Sequence, residues 1–198
     1  MRRERSLEPD YFETLYRDQA DPWGFESSAY EADKYADTLA ALGDERASAA
    51  LEIGCSIGVL TRQLAAHCDA LTATEVSPTA MAEAQRRCAD LPHVTFRLAR
   101  TATDAFEGAF DLIVLSEVVY YWDDADLAAV AAALDAHWTP GGRLLLVHWT
   151  GETDYPKSAD EAVDGLATLL RAPLIIERQD RRPRYRLDLW RRGATPAP

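Results

Sequence analysis

Four short segments carry residue types that could do chemistry. In the first, Leu51-Glu52-Ile53-Gly54-Cys55-Ser56-Ile57-Gly58, an acid and two glycines stand where an apolar run gives way to a helical pattern. Glycine lets backbone approach a ligand closely, and a helix N-terminus offers unpaired N–H groups. A dinucleotide fingerprint needs a third glycine, and Glu52 would repel a pyrophosphate, so a cationic or zwitterionic ligand suits the segment better. The second, Thr74-Glu75-Val76-Ser77-Pro78, ends an apolar run in a carboxylate that could accept both hydroxyls of a ribose. The same residues also make a plain helix start, with Ser77 as N-cap and Pro78 in the first turn. The third runs from Phe110-Asp111-Leu112-Ile113-Val114 into Ser116-Glu117-Val118-Val119-Tyr120-Tyr121. The fourth is a Pro140-Gly141-Gly142 turn and an apolar run closing on His148-Trp149. A lone histidine is usually structural, but one at a strand's carboxyl end stands where it could exchange a proton.

These segments need elements to position them. From about residue 50, short apolar runs alternate with helical patterns, as in βαβ units around a parallel sheet. Strands are expected at 50–54, 70–76, 94–99, 110–118 and 142–149, with helices at 59–68, 78–89 and 125–138. A further helix near 160–170 precedes two strand-like runs, 174–179 and 185–190, close enough to form an antiparallel hairpin. Arg181, Arg182, Arg184 and Arg186 alternate there as on a solvent face. Ligands of open α/β sheets sit beyond the strands' carboxyl ends, so Ser116, Glu117, Tyr120 and Tyr121 fall near the reacting atoms. Residues 1–45, rich in aromatics including Trp23 and Tyr30, form a helical cap, 46–192 the core and 193–198 a frayed tail of one domain.

Composition narrows the ligand. A net charge of −12 repels phosphate backbones, so nucleic acid is not an expected partner, while a cationic amine or neutral sugar is tolerated. Cys55, Cys68 and Cys88 are odd in number and lack zinc spacing, so neither a disulfide framework nor a metal site is expected. With no apolar run long enough to span a bilayer and no leader-like start, the expectation is a cytoplasmic protein away from membranes.

In this order the four segments resemble the motifs of class I S-adenosylmethionine methyltransferases. Asp21-Pro22-Trp23-Gly24-Phe25, Tyr30-Glu31, Lys34-Tyr35 and Trp149-Thr150-Gly151-Glu152-Thr153-Asp154-Tyr155-Pro156 extend the likeness to the nodulation protein S group over nearly the whole chain. The resemblance implies an α/β, Rossmann-like doubly wound fold, with a mainly parallel seven-stranded sheet, an antiparallel C-terminal hairpin and an N-terminal helical cap. It implies S-adenosyl-L-methionine as cofactor, S-adenosyl-L-homocysteine as product, and N-methylation of an amine on a small molecule or a deacetylated chitooligosaccharide. Glu52, Gly54 and Gly58, with Cys55 and Ser56 between them, would border the methionine part, and Glu75 would hold the ribose. Val76, Ser116 and Glu117 would complete the contacts, with Trp23 and Tyr30 closing over them from the cap. Two departures stand out: Ser56 replaces a common glycine, and Ala99-Arg100-Thr101 lacks the acid often found after the third strand.

On this reading Glu117, Tyr120 and His148 form the catalytic set, with Glu117 or His148 taking the proton that an amine must lose before attack. Tyr120, Tyr121, Trp149, Asp154 and Tyr155 would meet the acceptor, the aromatic rings by stacking on sugar faces or facing a cation. An O-methyltransferase of a small metabolite, a nucleotide-binding oxidoreductase and a non-catalytic cofactor-binding module remain alternatives, and neither the acceptor nor the oligomeric state is fixed.

Overall fold

Apolar residues repeating at period two, on strands buried on both faces, build the central sheet. The computed structural model describes residues 2–99 and 101–194. Of the expected tail, residues 195–198 lie outside the described residues, as does Arg100 of the departure after the third strand. Strands β1 (Ala50–Ile53), β2 (Leu71–Glu75), β3 (Val94–Leu98), β4 (Phe110–Ser116), β5 (Trp138–Trp149), β6 (Leu174–Arg181) and β7 (Tyr185–Arg192) form one seven-stranded sheet in the order β3-β2-β1-β4-β5-β7-β6. The first five are parallel, and β7 runs antiparallel to both β5 and β6. This is the mainly parallel, doubly wound sheet with an antiparallel C-terminal hairpin that the sequence predicts.

Helices α1 (Pro9–Asp18) and α2 (Ala29–Leu42) form the cap, followed by α3 (Val59–Leu64), α4 (Pro78–Arg87), α5 (Asp124–His137) and α6 (Ala159–Leu169). The helix expected at 59–68 tightens after Leu64 into a 3-10 turn, Ala65–His67. Ile113, Leu115, Leu144 and Leu146 pack under α5 and α6, while Leu112, Val114, Leu145 and Val147 face α2 and α3. Both faces of the sheet are therefore covered.

Three local features differ from expectation. The Pro-Gly-Gly turn does not precede β5 but lies within it, where pairing with β4 jumps from Phe110↔Trp138 to Leu112↔Arg143. Strand β4 stops at Ser116: Glu117 still donates its N–H to the Val147 carbonyl of β5 at 2.8 Å, but its left-handed φ of 59° turns the chain away. Arg186 is buried rather than solvent-facing: Asp188 holds it from β7, and Asp160 and Asp164 cover it from α6. None of the helices is long and apolar enough to cross a membrane, among the described residues.

Candidate active site

Strand order reverses between β1 and β4, and a crevice opens at such a point beyond the carboxyl ends. Gly54 continues β1 with a φ of 78°, and a side chain there would put its Cβ 2.4 Å from Val118 Cγ1. The Gly54 and Cys55 N–H groups both donate to the Thr74 carbonyl, at 2.8 and 2.9 Å. Ser56 then turns left-handed (φ 53°) and donates its N–H to Glu75 Oε2 at 2.8 Å. Glu75 Oε1 also accepts the Val76 and Ser77 N–H groups at 2.9 and 3.0 Å. Glu75 thus clamps the β1 loop to the β2 loop, and burial pushes its carboxyl above the ordinary range despite those donors. Ser56 and Glu117 are the two non-glycine residues at left-handed φ among the described residues, and both line the crevice. Strained backbone of this kind gathers where a site dictates geometry.

The opposite wall is built around Glu117. Its Oε1 accepts Lys34 Nζ at 2.6 Å, and its Oε2 accepts the Trp149 N–H at 2.9 Å and the Tyr120 hydroxyl. Burial alone would raise this carboxyl, but the Lys34 charge, the nearby His148 and the hydrogen bonds from Lys34 and the Trp149 N–H bring it below the ordinary range. Glu117 is therefore an ionised hub with three donors on two oxygens. Lys34 is itself buried between Glu117 and Glu31, whose Oε2 lies 2.8 Å away. Burial would lower the Lys34 ammonium, and the two carboxylates carry it above its usual value instead.

Together these groups enclose a cavity of about 570 Å³, within the roughly 300–1,000 Å³ of small-molecule sites. Of the expected cofactor residues, Gly54, Ser56, Glu75, Val76, Ser116 and Glu117 line it, and Trp23 and Tyr30 close it from the cap. Of the expected acceptor residues, Tyr120, Tyr121, Trp149 and Tyr155 line it, with the Tyr120 and Tyr155 rings stacked 5.3 Å apart. Four expected cofactor or acceptor residues stand elsewhere. Glu52 and Cys55 face a small chamber behind the loop, where burial pushes the Glu52 carboxyl up to about 7. Gly58 is taken up by packing, since a Cβ there would lie 2.9 Å from Ala84 Cα. Asp154 is exposed and holds Arg3.

His148 is also outside the cavity. The alternation of β5 turns it to the α6 face, where Nε2 accepts the Val119 N–H at 3.2 Å and burial pulls the imidazole down to about 4. It supports the turn that carries Tyr120 and does not reach the ligand space, a correction to its expected catalytic part. Glu31 and Lys34, by contrast, line the cavity and were recognised in the sequence only as part of the resemblance. Their i, i+3 spacing on a helix resembles an ordinary solvated ion pair.

The cap is docked by side chains. Tyr16 donates to Ser56 Oγ, and Glu13 at the N-terminus of α4 accepts from Ser77 Oγ (2.7 Å), Thr79 N–H (3.1 Å) and Thr79 Oγ1 (2.8 Å). The Ser77 hydroxyl leads the contacts that draw the Glu13 carboxyl from 4.5 to about 2. A depressed acid stabilises above its unfolded value and ceases to as pH falls through its folded one. The extra protection of the Thr79 amide in wild type over Glu13→Gln should thus be full above pH 4.5 and vanish through about pH 2, as hydrogen exchange would record. An undiminished difference at the acid end would show that the Glu13 charge is not what docks the cap, and no difference at neutral pH would remove Glu13 from the docking.

Comparison with known proteins gives the site its context. The family model of nodulation protein S (NodS) matches residues 11–139, well over half the chain. The chain is 34% identical over 140 residues to nodulation protein S of Rhizobium tropici, covering 69% of this chain and 59% of that protein. It is 33% identical over 126 residues to that of Sinorhizobium fredii, covering 62% and 57%. The chain thus spans about three-fifths of the length of these curated relatives. The N-methyltransferase NodS of Bradyrhizobium japonicum WM9, solved with S-adenosyl-L-homocysteine, matches with a TM-score of 0.80 at 25% identity over 91% of this chain and 97% of that one. A solved protein of Pseudomonas syringae matches with a TM-score of 0.73 at 38% identity, over 83% and 100%. With the family model matched over well over half of its length, the chain belongs to the nodulation protein S family.

Proposed function

We propose that this protein is an S-adenosylmethionine-dependent N-methyltransferase acting on the amine of a small molecule, an amino sugar or a chitooligosaccharide-like glycan. The observation that carries the reading is the charge of the cavity, whose lining, among the described residues, has five carboxyl groups (Glu8, Glu31, Glu75, Glu117, Asp126) and one ammonium, Lys34, already paired. Such a lining suits a cation and opposes a pyrophosphate, which disfavours a nicotinamide dinucleotide. Family membership and the relative solved with S-adenosyl-L-homocysteine support the same cofactor.

Bound S-adenosylmethionine supplies an electrophilic methyl group on a sulfonium. Glu75 would hold its ribose hydroxyls with the lone pair that Oε2 retains, Gly54 and Ser56 would border its methionine portion, and Trp23 and Tyr30 would exclude water from above. Glu117 stays ionised beside this space, where a fixed negative charge stabilises positive charge at low reorganisation cost. Tyr120, Tyr121, Trp149 and Tyr155 offer ring faces to the acceptor. Nitrogen is the favoured nucleophile, because an alcohol needs a far stronger base than an ionised, hydrogen-bonded carboxylate. The three cysteines are free and buried, in keeping with the reducing cytoplasm proposed as its location.

Calorimetric titration with S-adenosylmethionine and S-adenosylhomocysteine, against NADH, tests this reading. Both methionine-derived ligands should bind and NADH should not. Glu75→Ala removes a charged hydrogen-bond acceptor worth about 1.5–3 kcal/mol, so affinity should fall roughly 10- to 150-fold. Methyl transfer to glucosamine oligomers, and none to their fully N-acetylated forms, should follow. A folded wild type that binds neither ligand would overturn the assignment.

A further inference from the structure

An ammonium entering this cavity must lose a proton before its nitrogen can attack, and Glu117, with its donors in place, is a poor acceptor for it. Glu31 differs on each count. It lines the cavity and is 7% exposed, and its buried Oε2 receives no hydrogen bond of acceptable geometry among the described residues, with the Lys34 ammonium 2.8 Å away as its ion-pair partner.

Its orientation is not the local default. Ser28-Ala29-Tyr30-Glu31 has the S-x-x-E pattern of a capping box, in which the glutamate turns back to the N-cap N–H. At Ser158-Ala159-Asp160-Glu161 the same pattern closes that way, Ser158 donating its N–H to Glu161 at 2.8 Å. At α2 only half of the box forms: Ser28 Oγ accepts the Glu31 N–H, the Ser28 N–H goes to the Gly24 carbonyl at 2.9 Å, and the Glu31 carboxylate is turned inward beside Lys34. The box at α2 gives up its usual acid, and the acid is aimed at the ligand space.

We propose that Glu31 is the proton acceptor of the reaction, a catalytic residue for a primary or secondary amine that arrives as an ammonium; this rests on the N-methyltransferase reading. The ammonium N–H bond breaks with its electron pair left on nitrogen, and an O–H bond forms on Glu31, so a cation and an anion become two neutral groups. The proton then passes to solvent. Lys34 and Tyr30 on the same helix, Asp21 in the loop before it and Glu117 beyond β4 face this carboxyl, and Tyr35 feels its charge. Arg184 is stacked on the far partner, the Tyr30 ring. Burial outweighs the Lys34 charge and raises the Glu31 carboxyl above its ordinary range, so the rate should climb with pH through a value higher than a free carboxylate's.

The test compares wild type with Glu31→Gln, Glu31→Asp and Glu117→Gln, in single-turnover transfer to a glucosamine oligomer over a range of pH. S-adenosylmethionine affinity is measured on each protein, together with infrared difference spectra of the ligand-free protein. Glu31→Gln should bind the cofactor as wild type does, slow transfer by about 10²- to 10⁴-fold, lose the acid limb of the profile and lose one carboxyl band from the difference between acid and neutral spectra. Glu31→Asp should recover part of the rate, and Glu117→Gln should retain the acid limb at a reduced rate. An active wild type whose acid limb survives Glu31→Gln, or vanishes in Glu117→Gln instead, overturns this inference alone. A wild type that binds cofactor but methylates no amine overturns the parent reading and this one together.

Discussion

Lys34→Met is expected to lower stability by about 3–5 kcal/mol, a fall of roughly 6–20 °C in Tm for a chain of this size. Lys34 is 2% exposed on its side chain and stands 2.6 Å from Glu117 and 2.8 Å from Glu31. Methionine fills similar space but leaves both carboxyls buried without their cation. Their folded pKa values must then lie above the unfolded ones, so the loss should shrink at acid pH and grow as pH rises past 4.5, the unperturbed glutamate value. Adding Glu117→Gln to Lys34→Met should restore part of the stability by removing one uncompensated charge. Urea melts at several pH values would check both points, and a pH-independent loss would show that lost packing, not charge, dominates.

Gly58→Ala should cost about 2–5 kcal/mol, from about 1–2 for a left-handed residue with a Cβ and about 1–3 for overpacking. Gly58 has a φ of 79°, and its added Cβ would lie 2.9 Å from the Cα of Ala84, backbone that a rotamer change cannot clear. Gly141 is the control: its φ is 77°, yet nothing lies within 4 Å of an added Cβ, so Gly141→Ala should cost the conformational part alone. Equal losses in the two variants would mean that the contact between the start of α3 and α4 can yield.

The sheet was legible because its central strands carry apolar runs, Leu112–Leu115 of β4 and Leu144–Val147 of β5, between helical patterns. Glycine spacing and strand-end acids placed the crevice for the same reason: a parallel sheet leaves one end for ligands. The wall supplied by the cap was harder to read. Glu31 and Lys34 on α2, like Arg186 on β7, are charges at spacings that normally face water, and only the covering element shows that they are inside. The two S-x-x-E segments, alike in sequence and opposite in use, make the same point. His148 was misplaced by a parity rule: its position along β5 is at the ligand end, but its side of the sheet belongs to α6.

The roof of the cavity is tied down by residues far apart in the chain. Arg182 of the β6–β7 turn holds Asp37 of α2 across 145 positions, Arg3 meets Asp154 across 151, and Arg2 meets Glu161 across 159. A ribosome extends a chain at roughly 5–20 residues per second, so these cap residues emerge well before their partners. Such distant pairings are slow to form. The cap can therefore be held at Ser56 and Ser77 early in synthesis, and gains its tie to the hairpin only after residue 182 has emerged.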